Sequence, residues 1–137
     1  MKTLLDNEYF SIELENGIII STWKSTLVDL TIAKKMLVSR LEILKGQQYP
    51  FLIKINSLKD LTKEARDFFA SEQGCEGVIA GAIYVNSVLE NYIAAFFIMV
   101  NRPMRPTKIF NDEIKAKKWL AQYVTKDQNF SIEKNKA

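Results

Sequence analysis

Few groups in this chain can carry chemistry, and two absences decide most of that question. Its 137 residues include no histidine and one cysteine. Ser-His-Asp triads, imidazole general bases and HExxH zinc sites are therefore excluded by residue type. Neither an intrachain disulfide nor a Cys-rich metal cluster can form. Cys75 sits in the loop Gly74-Cys75-Glu76-Gly77 with no activating base beside it in sequence, and reads as a bystander. Glu13, Glu15, Asp29, Asp112 and Glu113 are carboxylates, yet spacing forces no two of them together, so no acid/base pair emerges. Arg102 and Arg105 bracket Pro103-Met104 and have the forked geometry that suits phosphate or carboxylate. As loop charges they read as solvated groups or salt-bridge partners. No catalytic residue, metal site or cofactor is expected.

The elements that would position any site are plainer. The stretch Gly77 to Val124 reads as strand, helix, loop, strand, helix. Val78 to Val85 is a nearly continuous apolar run, as in a strand covered on both faces. Ala80, Gly81 and Ala82 in its middle let a helix pack close to the backbone. Ser87-Val-Leu-Glu90 matches a capping box and starts a helix that Asn101-Arg102-Pro103 ends. Thr107 to Phe110 is a short strand. Asn111 or Asp112 caps a last helix with one stripe of Ile114, Trp119, Leu120 and Tyr123.

Upstream, Tyr9 to Leu14 alternates in the manner of a half-buried strand, and Asn16-Gly17 is a two-residue hairpin signal. Ile18 to Trp23 returns antiparallel to it. Asp29 or Thr31 caps a helix whose face of Ile32, Ala33, Met36, Leu37, Leu41 and Leu44 is apolar. Lys34, Lys35, Arg40, Glu42 and Lys45 are expected to face water, and Gly46 to end the helix. Phe51 to Ile55 is a third strand, and Thr62 starts a helix running to about Ser71. The order ββαβαβαβα predicts an α/β fold: a five-stranded mixed sheet, an N-terminal antiparallel hairpin followed by parallel β-α units, with four helices. One domain fills residues 1–124, and 125–137 is expected to be a flexible polar tail.

Composition agrees with one such domain. A 47% hydrophobic and 26% charged content is ordinary for a globular chain. The net charge of +3 is scattered along the sequence, which disfavours nucleic acid as a partner. Asp6, Asn7 and Glu8 interrupt any signal-peptide core, and the longest apolar run, Tyr92 to Val100, is too short to span a bilayer. A cytoplasmic location and no transmembrane segment are expected.

Parallel α/β sheets bind ligands beyond the C-terminal ends of their strands. Those ends are here the turns Asn56–Thr62, Asn86–Ser87 and Asn111–Asp112, so Asn56, Ser57, Asn86 and Ser87 are candidate strand-end site residues. The second candidate surface is the helix from Val88 to Val100, apolar almost all round and so expected to be buried on more than one side. It admits three readings: plain core, a homodimer interface with Leu89, Tyr92, Phe96, Phe97 and Met99 in contact, or the lining of a groove for an apolar ligand.

With its element order, the segment INSLKDLTKEARDFF and the ending PTKIFNDEIKAKKWL (Pro106 to Leu120), the chain resembles the SpoIIAA-like branch of STAS domains. The resemblance covers residues 8 to 124 and is nearest to an uncharacterised stand-alone bacterial subfamily. It implies a non-enzymatic regulatory domain that acts by binding a protein partner, as anti-sigma-factor antagonists do. It also implies a phosphorylatable turn, which falls on Asp60-Leu61-Thr62-Lys63, with Thr62 at the acceptor position and Leu61 and Lys63 replacing the family's small residues. The related Sec14 (CRAL-TRIO) proteins bind lipid, which supports the alternative of a small apolar-ligand carrier. Thr62 also reads as a simple helix cap.

Overall fold

The chain begins with a strand, β1 (Lys2–Asp6), followed by β2 (Phe10–Glu15) and β3 (Ile18–Trp23), all antiparallel. Between β2 and β3, Asn16 and Gly17 take φ angles of 51° and 81°, as the predicted two-residue turn requires. The structure, a computed structural model, describes residues 1–124; the expected tail from residue 125 onward lies outside the described residues. β1 goes beyond the five strands predicted. It lies at the sheet edge, its register slips between Thr3 and Leu5, and Leu4 and Leu5 are only half-buried. An edge strand of this kind leaves no alternating pattern to read.

The remaining elements follow as β4 (Leu27–Val28), α1 (Leu30–Leu44), β5 (Tyr49–Lys54), β6 (Asp60–Leu61), α2 (Lys63–Ala70), β7 (Val78–Tyr84), α3 (Val88–Phe96), β8 (Thr107–Phe110) and α4 (Glu113–Ala121). The main sheet has six strands in the order β1-β2-β3-β5-β7-β8, and β3, β5, β7 and β8 run parallel. β4 and β6 form a separate two-stranded parallel ladder. Each is two residues long, below what periodicity can resolve.

Strand order explains the layering. The parallel strands advance in one direction, so right-handed crossovers put α1, α2 and α3 on the same face. That face holds the larger core, with Ile19, Phe51 and Ile83 from the sheet against Met36, Leu37, Phe68 and Ala94 from the helices. α4 follows the last strand and makes no crossover. It covers the other face, where Ala116 and Leu120 pack on Ile18, Ile20, Leu52, Ala80 and Ala82. The small residues of β7 thus do what their size suggested and let α4 approach. The expected stripe on α4 is shifted, because Ile114 is 70% exposed. Lys54 and Glu113 at 2.6 Å, and Lys117 and Glu15 at 2.9 Å, tie the helix to the sheet.

Most caps fall where predicted. Asp29 accepts from the Ile32 N–H at 2.9 Å and Asp112 from the Ile114 N–H at 2.9 Å. α1 ends at Leu44, two residues before Gly46, with the C-cap Lys45 itself left-handed at φ 50°. Arg40 corrects one expectation. It does not face water but is 7% exposed, with Nη2 donating to the carbonyls of Gly74 at 2.8 Å and Glu76 at 2.7 Å. Its charge lies 5.7 Å from the Phe51 ring centroid. Burial pushes its pKa down to about 10, so it stays charged at neutral pH. Arg40 therefore anchors the loop before β7 from inside, and Cys75 in that loop is buried too.

The same loop turns tightly against α2. A Cβ on Gly74 would sit 1.9 Å from the Phe68 carbonyl oxygen. Gly74→Ala should lower stability by about 2 kcal/mol, as overpacking against rigid backbone does. A urea unfolding midpoint measured beside wild type checks this, and an unchanged midpoint would show that the loop yields freely.

Candidate functional site

The β5–β7 register pairs Ile53 with Ile83 and Lys54 with Tyr84. Two residues further on, Asn56 and Asn86 leave the sheet side by side, so the strand-end turns do meet at one end of the fold. Asn56, Ser57, Asn86 and Ser87 are all exposed there. No hydrogen bond joins the first pair to the second among the described residues.

The Asn86–Ser87 side chains are occupied in starting α3. Ser87 Oγ accepts from the Glu90 N–H at 3.1 Å and donates to Glu90 Oε2 at 2.7 Å. The Asn86 side-chain amide, with its nitrogen toward the carboxylate, donates to both Glu90 oxygens at 2.7 and 3.1 Å. Glu90 is 5% exposed and pairs with no cation among the described residues, so these donors are what make its burial tolerable. The capping box is present, closed by neighbouring donors around a buried carboxylate.

Asp60 and Thr62 lie on the other turn. Asp60 is exposed and opposite Leu27 in the small ladder, while the Thr62 N–H donates to the Val28 carbonyl at 3.1 Å. Thr62 Oγ1 accepts from the Ala65 N–H at 3.2 Å, so Thr62 is the N-cap of α2. One turn into that helix, Arg66 reaches in two directions. Its Nη1 donates to the Leu61 carbonyl at 2.7 Å, and its Nε to Asn101 Oδ1 at 3.1 Å. The guanidinium lies 4.7 Å from the Phe96 ring centroid. Asn101 in turn donates to Asp67 at 2.6 Å. The hydrogen bond from Lys63 to Asp67, with a further contribution from Asn101, holds the Asp67 carboxyl below its ordinary range.

Beneath these turns is an apolar cavity of about 70 Å³. Ile55, Leu58 and Leu61 come from the β5–α2 turn, Ile93, Ala94 and Phe97 from α3 and the turn after it, and Trp23, Ile53, Phe69 and Ile83 complete the lining. It is far smaller than the roughly 300 Å³ at which ligand pockets usually begin. No polar group lines it.

The helix expected from Val88 to Val100 is two pieces. α3 ends at Phe96 and passes into a π-helical turn, Phe97–Asn101, closed by Arg102 in the left-handed region. The expected burial on more than one side does not occur. Val88 is 89% exposed, Tyr92 64%, Met99 74% and Leu89 48%. The five interface candidates therefore divide. Leu89, Tyr92 and Met99 face solvent, Phe96 lies half-buried under Arg66, and Phe97 lines the cavity. Arg105 binds the Val78 carbonyl at 3.0 Å at the opposite end of β7, so it is structural. Sequence reasoning did not find Arg66 or Asn101. Their partners are a carbonyl, a ring and an amide 35 residues away, which no local spacing encodes.

If Thr62 acts in the fold only as a cap, Thr62→Ala should cost about 1 kcal/mol and Thr62→Ser close to nothing. Paired denaturation curves check this; equal losses in both variants would mean that the methyl group, and not the hydroxyl, is what the fold uses.

Comparison with known proteins bears on the fold. An uncharacterized protein of the DUF3478 family with a SpoIIAA-like fold, from Shewanella loihica PV-4, superposes with a TM-score of 0.59 at 18% identity, covering 81% of this chain and 91% of that one. A protein with unknown function from Arthrobacter sp. FB24 is 22% identical over 80% of this chain and 97% of its own, with a TM-score of 0.31, too low to carry an argument. No curated protein matches. The first similarity speaks for the fold alone: this is a mixed α/β, SpoIIAA-like domain. No helix among the described residues is long and apolar enough to cross a membrane. Residues 12–124 match the family described as "Domain of unknown function (DUF7793)", and that match spans most of the chain: the protein belongs to the DUF7793 family.

Proposed function

We propose that this protein is a non-enzymatic, cytoplasmic interaction domain that acts by contact with protein chains, and that a second copy docks on the outer face of α3. One observation carries the reading. Val88, Leu89, Tyr92, Met99 and Val100 are each between 48% and 89% exposed, on a segment whose only carboxylate, Glu90, points inward. Monomers rarely leave contiguous apolar patches of more than a few hundred Å² open to water. The stripe runs about 20 Å along the helix. It offers several hundred Å² per copy, on the order of the ~800 Å² that each side of a standard interface buries. The exposed side chains of the stripe carry no charge, and the cation packed beside them, Arg66 on Phe96, is already bonded to the Leu61 carbonyl and Asn101. The resemblance to anti-sigma-factor antagonists supports the same class of function, with Thr62 as the position a kinase would modify. A phosphate there gains from the positive end of α2.

A second reading has its own observation. The wholly apolar cavity under Leu58, Leu61 and Phe97 suits a small apolar ligand if the turn above it opens. Native mass spectrometry separates the two, since a ligand adds a few hundred daltons to a monomer and self-association doubles the mass.

The double variant Tyr92→Lys/Met99→Lys should convert a dimer to a monomer while leaving the circular dichroism spectrum and melting temperature close to wild type, because both side chains are already in water in the single chain. Sedimentation equilibrium provides the readout. A wild type that remains monomeric at several hundred micromolar would overturn self-association through α3. If Thr62 is a switch, Thr62→Ala should abolish phosphate labelling by the host's own kinases; labelling that persists would remove Thr62 from that role.

A further inference from the structure

The α3 contact face does not stand alone. It ends in the π-helical turn Phe97–Asn101, and that turn is bound to the strand-end turn through one side chain. Arg66 Nη1 holds the Leu61 carbonyl at 2.7 Å, Arg66 Nε holds Asn101 at 3.1 Å, and the guanidinium lies over the Phe96 ring. Asn101 passes the connection back to α2 through Asp67 at 2.6 Å. The two turns also share the cavity, with Leu58 and Leu61 on one wall and Phe97 on the other. A displacement of the Leu58–Leu61 segment therefore changes the support of both Phe97 and Asn101.

Resting on the reading of α3 as the contact face, we propose that Arg66 couples the strand-end turn 56–62 to that face, so that the state of the turn sets the strength of self-association. π-helical turns are rare, and those that interrupt α-helices recur at functional positions; this one closes α3 at its C-terminal end. Here the turn decides where Met99 and Val100 point at the end of the apolar stripe. Its last residue, Asn101, is held by side-chain hydrogen bonds to Arg66 and Asp67, and no helix-breaking residue lies inside it. A planar guanidinium can donate in two directions while its face covers a ring; a lysine ammonium at the same place cannot. Linkage makes the coupling reciprocal: if the turn biases association, association must stabilise the turn by the same factor.

Two measurements on Arg66→Lys, Arg66→Gln and Asn101→Ala test this. By sedimentation, each should weaken the dimer by about 10-fold, within the usual range of coupling between sites. By amide hydrogen exchange, wild-type residues 58–62 should become more protected on dimerisation, and in the Arg66 variants that gain should disappear. A dimer whose dissociation constant and exchange at 58–62 are unchanged in all three variants overturns the coupling. A wild-type monomer overturns the contact reading instead. The coupling is then read from Asn101→Ala alone: faster exchange at 58–62, remote in sequence from the substitution, supports it, and unchanged exchange there overturns it.

Discussion

The arrangement of this protein depends on a parallel sheet whose strands are added in sequence order. Because β3, β5, β7 and β8 advance in one direction, α1, α2 and α3 are compelled onto one face, and α4, free of any crossover, is left to cover the other. The strands must then be apolar on both sides, as the alternation of Ile18 and Ile20 with Ile19, and of Leu52 with Phe51, shows. Everything at the candidate site follows from this. All the strand-end turns open at one end, and α3, last of the three crossover helices, lies at the flank of its layer with no helix beyond it among the described residues.

That position explains why the most hydrophobic helix of the chain is also one of its most exposed. α3 turns Ile93 and Ala94 inward together with Glu90 and leaves Val88, Leu89 and Tyr92 outward, so apolar residues lie on both of its sides. The inward carboxylate is held by Ser87 and Asn86. Burying a polar group and exposing apolar ones both act against the stability of an isolated chain.

Charged groups in this fold serve as fasteners. Arg40 holds the loop before β7 from inside, Arg66 spans two turns, Arg105 grips the start of β7, and Lys54 and Lys117 tether α4. Three of these are arginines bonded to backbone carbonyls. Such bonds hold backbone together across elements, and they consume cations, Arg40 on a helix face and Arg105 in a loop, that sequence position alone would have assigned to solvent or ligand.

Local chemistry was legible in advance. Asn16-Gly17 turns because both residues tolerate positive φ, Thr62 and Ser87 cap because a side-chain oxygen satisfies an open backbone N–H, and the apolar run of β7 had to be covered on both faces. These are properties of a few neighbouring residues, and the order of strands and helices follows from them. What only the tertiary structure decided was direction and partnership. An apolar run like that of α3 does not say which of its sides meets the core when nearly all are apolar, and Arg40 looks like a surface residue until its two carbonyls arrive from more than 30 residues away. β1 pairs through register with its neighbour and has no pattern of its own. Periodicity reports how a residue relates to its own helix or strand; burial and coupling are set by what packs against that element, and distant parts of the chain supply it.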